Sequence, residues 1–473
     1  MTATWWNALR WGGTAIVAIA AASTALHALL HKRDSQAALG WIAVCLLFPL
    51  AGPILYVLFG INRIQTRARQ YHEDAPERTA APGTPAPAAA VPEEYRPLVR
   101  IADAVTSRPL LTGNRVEALR NGEGAYPPML EAIQAARRRL FLATYLFETD
   151  PVGRDFVDAL AAAAGRGVEV RVLLDGVGEL YSWPRAGRLL ERAGVPVARF
   201  LPPRLMPPAL HVNLRNHRKL LIADEEVGFT GGMNLGGRHL VDRAGPGRVS
   251  DLHFRVRGPI VAQMEQVFLD DWAFCTGEVL VPAVSPTGAQ GGAICRTIVD
   301  GPNEDLDKLA SVLDGAVSSA RRRLAIVTPY FIPSRELRAA LRAAALRGVD
   351  VSVILPARNN LPVVHWASRN MLWDLLLRGV RIYYQPPPFA HTKLFLVDDA
   401  YVVLGSANID PRSLRLNFEL ALEVFDPGLA TDLWRNVEEI RGRSREVTIE
   451  EVDGRALPVR VRDSLAWLFS PYL

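Results

Sequence analysis

A stretch of eighteen residues occurs twice in this chain, and the two copies align without a gap. The first runs His217-Arg-Lys219-Leu-Leu-Ile-Ala-Asp224 and closes on Gly231-Gly232-Met-Asn234. The second runs His391-Thr-Lys393-Leu-Phe-Leu-Val-Asp398 and closes on Gly405-Ser406-Ala-Asn408. Each reads H-x-K, a short apolar strand, an acidic turn, a second apolar strand, then G-[GS]-x-N. Such a duplication implies two like halves whose matching polar residues face each other across one site.

Composition sharpens the point. Lys and Arg together number 54, yet only four are lysines: Lys32, Lys219, Lys308 and Lys393. Two of the four occupy the same place in the repeat. Arg presents a flat fork and Lys a compact point charge on a thin stem, so a site that needs the latter against a phosphate oxygen resists the general bias to Arg.

The repeat carries the parts for phosphodiester chemistry. A neutral imidazole, populated near neutral pH, is a nucleophile toward phosphorus. A second imidazole can protonate the leaving alkoxide and then deprotonate the incoming alcohol. On an extended strand residues i and i+2 point to one side, so His217 with Lys219, and His391 with Lys393, reach one pocket. The amides of Asn234 and Asn408 are placed to donate to the same phosphate. Asp251 and Glu419 are candidates for the carboxylates that set the protonation of the two imidazoles. Asp224 and Asp398 belong to the motif, but their place beyond the strand suggests that they tie turns.

The rest of the chain supplies a setting. A length of 473 residues suggests about three domains. The net charge of +5 is too small to indicate nucleic acid by itself. Cys45, Cys275 and Cys295 lie far apart, which predicts neither disulfides nor a zinc site. Residues 11–30 and 35–62 lack Asp, Glu, Lys and Arg, and each is long enough for a membrane span of about 20 residues. They predict a two-helix transmembrane hairpin over residues 1–70. Arg10, Arg63, Arg67, Arg69 and Arg78 against Lys32 and Arg33 in the turn place both ends on the cytoplasmic side. A cleaved signal peptide is the competing reading of the first segment. Residues 71–97, rich in Ala and Pro, read as an extended tether.

Two similar halves follow, residues 98–285 and 292–473. Ala136-Arg-Arg-Arg-Leu140 leads into one strand and Ala320-Arg-Arg-Arg-Leu324 into its counterpart. Helices alternating with short strands predict an α/β fold with a largely parallel sheet wrapped by helices. His253 reads as a core residue, and His211 and His365 as pocket wall or surface. Residues 361–377 read as a core-facing helix, with an acyl-chain wall as the alternative. Residues 202–210 read either as a loop dipping toward the bilayer or as a packed one, and Asp175-Gly-Val-Gly178 as a turn over the site.

With these motifs in view, the chain resembles the phospholipase D superfamily, and Gly405-Ser-Ala-Asn-Ile-Asp410-Pro-Arg-Ser-Leu-Arg-Leu-Asn417-Phe-Glu419 is similar to the bacterial cardiolipin synthases. The resemblance implies two duplicated halves with mixed sheets and a membrane-bound phosphatidyltransferase without metal or cofactor. Phosphatidylglycerol is the implied substrate. It further implies that His217 attacks the phosphatidyl group, that His391 protonates departing glycerol, and that Asp251 and Glu419 orient the two imidazoles. Gly232 departs from the Ser common in the superfamily and leaves Ser406 alone as a hydroxyl donor. A lipid-hydrolysing phospholipase D, a nuclease on the same scaffold and an inactive membrane scaffold are the rival readings.

Overall fold

The structure is a computed structural model that describes residues 2–32, 35–60, 85–87, 90–203, 214–243, 245, 247–282, 288–301 and 307–470. The chain divides into two compact units, residues 1–75 and 76–473.

In the first unit, helix Thr2–His31 contains the uncharged run and is, over Arg10–His31, long and apolar enough to cross a membrane. The second predicted span is not one helix. It is helical over Ser35–Leu47, turns at residues 48–50, and resumes as Ala51–Leu55 and a π turn Tyr56–Gly60. Pro49 and Pro53 lack the N–H that an unbroken helix would use. Thirteen helical residues rise only about 20 Å, short of a hydrocarbon core of about 30 Å. Among the described residues one helix therefore meets the length of a span, where two were expected. The stretches still pack together through Ala25, Ala28, Cys45 and Tyr56, and His27 Nδ1 lies 2.8 Å from the Tyr56 hydroxyl.

Most of the predicted tether, residues 71–84 and 88–89, lies outside the described residues, as do residues 61–70 before it. Its end is not extended. Val91 and Tyr95 are buried, and Tyr95 donates to the Val397 carbonyl at 3.2 Å. With helix Arg96–Thr106 they enter the core of the second half, against helix Lys308–Ser319.

The second unit is built on one fifteen-stranded sheet. Strands Leu111–Arg120 and Ala293–Asp300 pair antiparallel at its centre and join the halves. Outward from them each half repeats one order. In the first half this is Leu252–Arg257, Val227–Gly231, Leu220–Ala223, Arg139–Thr144, Glu169–Asp175, Val197–Phe200. In the second it is Glu419–Phe425, Tyr401–Gly405, Leu394–Val397, Arg323–Val327, Asp350–Pro356, Arg381–Gln385. Only the last two pairings of each series are parallel. The sheet is mixed, not largely parallel, because each repeat motif is itself an antiparallel hairpin inserted between the centre and the parallel strands.

The apolar run inside each motif follows from burial on both faces of this sheet. Leu220 and Ile222 face a core shared by the two halves, while Leu221 and Ala223 face the first half's own helices. Leu394 and Leu396 enter that shared core too, and Phe395 and Val397 turn to the other side. Helices Ile260–Thr276 and Pro427–Arg443 cover the shared face through Met264, Phe268, Trp272, Leu433 and Val437.

Candidate active site

Both H-x-K segments stand at the start of their motif strands, where the chain leaves the sheet and crosses to the other half. His217 donates its backbone N–H to the Phe418 carbonyl at 2.9 Å, and Phe418 returns one to Arg215 at 2.8 Å. In the mirror arrangement His391 donates to Ser250 at 2.8 Å, and residues Phe389–Ala390 pair parallel with Val249–Ser250. Phe418 precedes Glu419 and Ser250 precedes Asp251. Each histidine is therefore stitched to the segment that carries the opposite half's carboxylate.

The side chains cross the same way. His217 Nδ1 lies 3.0 and 3.1 Å from the two Glu419 oxygens, and His391 Nδ1 lies 2.9 Å from Asp251 Oδ2. Glu419 and Asp251 are fully buried, while each imidazole keeps 12% of its side-chain surface open. Burial opposes ionisation of both carboxylates, yet His217, Lys219 and Ser406 hold Glu419 below the usual range, and His391 and Lys393 do so for Asp251. An ionised carboxylate can only accept, so each Nδ1 carries the ring proton and each Nε2 keeps its lone pair. Burial pushes His217 down to about 4 and His391 to about 3, so both rings are neutral at pH 7.

The lysines complete a compact set. Lys219 Nζ donates to the His217 carbonyl at 2.6 Å and Lys393 Nζ to that of His391 at 2.5 Å. Burial lowers Lys219 to about 7 and Lys393 to about 8. The two histidines line a single cavity of about 700 Å³, together with Asn234, Asn408, Tyr145 and Tyr330.

The two remaining motif residues do something else. Asp224 accepts the backbone N–H groups of Arg137, Arg138 and Arg139 at 2.7–2.9 Å. Asp398 accepts those of Arg321, Arg322 and Arg323 at 2.8–3.0 Å. Both sit at positive φ in the hairpin turn, 52° and 49°, a conformation that Asp tolerates better than most residues. Seven residues of extended chain put each roughly 20 Å from its motif histidine. Placed among the catalytic candidates by the motif, these carboxylates instead clamp the motif hairpin to the Ala-Arg-Arg-Arg-Leu junction that repeats upstream. Asp398→Ala leaves three amides without their acceptor and should cost about 2–4 kcal/mol of stability. A lower thermal midpoint in detergent checks this. An Asp398→Ala protein as stable as the parent but inactive would make the residue a chemical participant.

The supporting residues divide. Ser406 Oγ donates to Glu419 Oε2 at 2.5 Å and Asn417 Nδ2 to Oε1 at 3.2 Å. The Asn234 carbonyl oxygen accepts from Tyr126 and its side-chain oxygen accepts from the Leu146 amide, while Asn408 donates to Ser413. Gly232 packs against Asp251, where an added Cβ would lie 2.5–2.6 Å from both carboxylate oxygens. It is thus a space requirement, and the reading of it as merely a missing donor is replaced. Gly231 and Gly405, at φ 147° and 151°, pass so close to the neighbouring strand that a Cβ would meet Leu252 O or Leu420 O.

Several wall residues escaped the sequence. The Tyr145 ring meets His217 edge-on at 5.3 Å and lies beneath Lys219 Nζ. Tyr330 holds the matching place in the second half, and the duplication was the signal that could have found the pair. Arg215, Arg238, Arg248 and Arg412 also line the cavity, hidden in a sequence that uses Arg nearly everywhere. Asp175 ends its strand by accepting from Val177, Gly178 and Asn216, which fixes the residue before His217. His253 is a buried core residue, and His239 lines the cavity. His211 and most of 202–210 fall outside the described residues. Residues 361–377 form two short helices, Pro362–Arg369 and Leu372–Leu376, with Ala367 inward, Leu361 and Val363 on the cavity, and Val364 touching both.

Comparison with known proteins agrees with this architecture. A family model described as cardiolipin synthase, PLD-like domain matches residues 129–272 and 313–441, and one described as phospholipase D-nuclease N-terminal matches residues 16–60. The chain is 32% identical to a cardiolipin synthase of Geobacillus kaustophilus, covering 95% of this chain and 91% of that one. It is 32% identical to cardiolipin synthase A of Pseudomonas putida, covering 95% of each. A phosphatidylserine synthase structure from Haemophilus influenzae superimposes with a TM-score of 0.62 at 16% identity, over 80% of this chain and 100% of that one, a likeness of fold. Two half-sites completed by each other's carboxylates, on a duplicated sheet matched over nearly its whole length, place this chain in the cardiolipin synthase family of the phospholipase D superfamily.

Proposed function

We propose that the chain condenses two phosphatidylglycerols into cardiolipin and glycerol through a phosphatidyl-histidine intermediate. The observation that carries this reading is the crossed pair of histidine–carboxylate contacts opening on one cavity, with a lysine held against the carbonyl of each histidine. His217 Nε2 attacks phosphorus as the bond to the glycerol oxygen breaks, and His391, which takes up a proton from solvent at Nε2 as the substrate arrives, gives that proton to the oxygen. The terminal hydroxyl of a second phosphatidylglycerol then yields its proton to His391 and attacks phosphorus, and His217 is released. The arriving phosphodiester anion raises the affinity of His391 for the proton it must donate, and Asp251 on Nδ1 steadies the resulting imidazolium. Lys219 and Lys393 offset the charge on the phosphoryl oxygens. With cations supplied by lysine, turnover is expected to persist in chelator.

The apolar N-terminal helix, the broken apolar stretch that packs back on it and the arginines that follow in the sequence support a multi-pass anchor in a bacterial cytoplasmic membrane with the chemistry on the cytoplasmic side. Halves at residues 98–285 and 292–473 each contribute one H-x-K.

The test is incubation of purified protein with phosphatidylglycerol alone, resolving the lipids. Cardiolipin with one equivalent of glycerol is expected, and phosphatidic acid as the sole product overturns the reading in favour of hydrolysis. The pH profile adds a check. The free site loses its cations as pH rises past about 7 and 8, so kcat/KM should fall on the alkaline side through that range. It should keep rising on the acid side toward pH 5, since His217 stays neutral there while His391, neutral in the free site, must take up the proton that it donates. A profile flat to pH 9 would remove the lysines from substrate binding.

A further inference from the structure

Helix Leu457–Leu468 carries its apolar side on the outside. At about 100° per residue, Leu457, Val461, Leu465 and Leu468 form one stripe, and they are 72, 50, 55 and 63% exposed. The opposite side turns inward: Ala466 packs with Ile332, Val364, Ala367 and Met371. Beside Ala466, the buried Asp463 accepts from Arg369, Arg455 and Arg462. Residues 455–469 hold three arginines against this one aspartate, a net charge of +2.

An apolar stripe bordered by cations suits the headgroup region of an anionic bilayer. A second copy of the chain would set like charges against each other across a two-fold contact. The stripe is linked to the cavity through the helix beneath it. The helix it packs on, Pro362–Arg369, begins at Leu361 and Val363, which are exposed and line the cavity mouth. Tyr181 lines the same mouth from the first half, and Trp183 beside it is 80% exposed.

We propose that the outer stripe of helix Leu457–Leu468 lies in the interface of an anionic bilayer and seats the cavity mouth on the lipid surface. This rests on the cavity being a phospholipid site and adds a docking surface separate from the N-terminal helix. The experiment uses the full chain, reconstituted in vesicles containing phosphatidylglycerol, with the double variant Val461→Glu/Leu465→Glu. Turnover of vesicle phosphatidylglycerol should fall at least about tenfold, the factor that 1.4 kcal/mol carries. Turnover of dihexanoyl-phosphatidylglycerol, supplied as monomers, should match the parent. Independently, brominated phosphatidylglycerol should quench the part of the fluorescence that Trp467→Phe removes, and the double variant should lose that quenching. Equal losses on both substrates, unchanged turnover on vesicles, or no quenching of Trp467 overturns the proposal. A parent that condenses neither substrate would defeat the functional reading instead, and the quenching, read without turnover, still decides the docking.

Discussion

His217→Asn and His391→Asn should each lower condensation of phosphatidylglycerol by at least about 10³-fold, as removal of one member of a coupled nucleophile–acid pair does. The two variants should differ in how they fail. Glu419 divides its oxygens among His217, Ser406 and Asn417. Asp251 gives Oδ1 to the Leu252 amide and keeps Oδ2 for His391. The undivided oxygen steadies an imidazolium better, which suits His391 to hold the proton and leaves His217 as the neutral nucleophile. Lys393 opposes this, lying 3.0 Å from His391 Nδ1 and adding to the burial that holds that ring at about 3. A phosphodiester paired with Lys393 removes the opposition. A phosphatidyl ester of p-nitrophenol needs no proton to depart. With it, His391→Asn should release one equivalent of nitrophenol and retain a phosphatidyl-protein adduct, whereas His217→Asn should release none. A burst from His217→Asn and none from His391→Asn would reverse the roles, and turnover above a tenth of the parent in either would refute the shared site.

The asymmetry between the halves shows how far the sequence could reach. Two gapless motifs disclosed the duplication, the histidines and lysines, because each motif is one local hairpin whose parts lie close in sequence. The carboxylate partners were visible only as candidates: nothing in the spacing says that Asp251 must serve the histidine 140 residues downstream. That pairing comes from the crossover of Phe389–Ala390 onto Val249–Ser250, a tertiary event. Strand direction was misjudged for a related reason, since an antiparallel hairpin and a parallel crossover share one apolar pattern when both faces are buried. The tail of the Ala/Pro run reads as tether by composition, yet Val91 and Tyr95 find a core supplied by residues some 300 positions away. The second span read as continuous because membrane helices tolerate proline, whereas here the helix stops at Leu47 ahead of Pro49 and resumes at Ala51.

Gly232→Ser is the change that the sequence would call conservative, since Ser406 holds that place in the other half, and it should reduce kcat by about 10²-fold or more. In the second half the longer arm of Glu419 sets its carboxylate out where Ser406 Oγ can reach it. In the first half Asp251, one methylene shorter, lies directly over the glycine, and a Cβ at 232 would sit 2.5–2.6 Å from both its oxygens. Something must give. Asp251 is held by the Leu252 amide on one side and His391 on the other, and the side-chain contact is the weaker constraint. Once Asp251 swings away, His391 loses the acceptor that fixes its tautomer, a loss that in comparable triads costs orders of magnitude in kcat and little in KM. Gly232→Ala should be as damaging as Gly232→Ser, because space and not a hydroxyl is at issue. Ser406→Ala removes one hydrogen bond to a charged group and should cost no more than about 1.5–3 kcal/mol. The double variant Gly232→Ser/Asp251→Glu rebuilds in the first half the arrangement of the second and should recover part of the lost rate. If Gly232→Ser turns over within about threefold of the parent, while 1.4 kcal/mol would be a factor of ten, the carboxylate is not confined as described and Gly–Asp and Ser–Glu are interchangeable solutions.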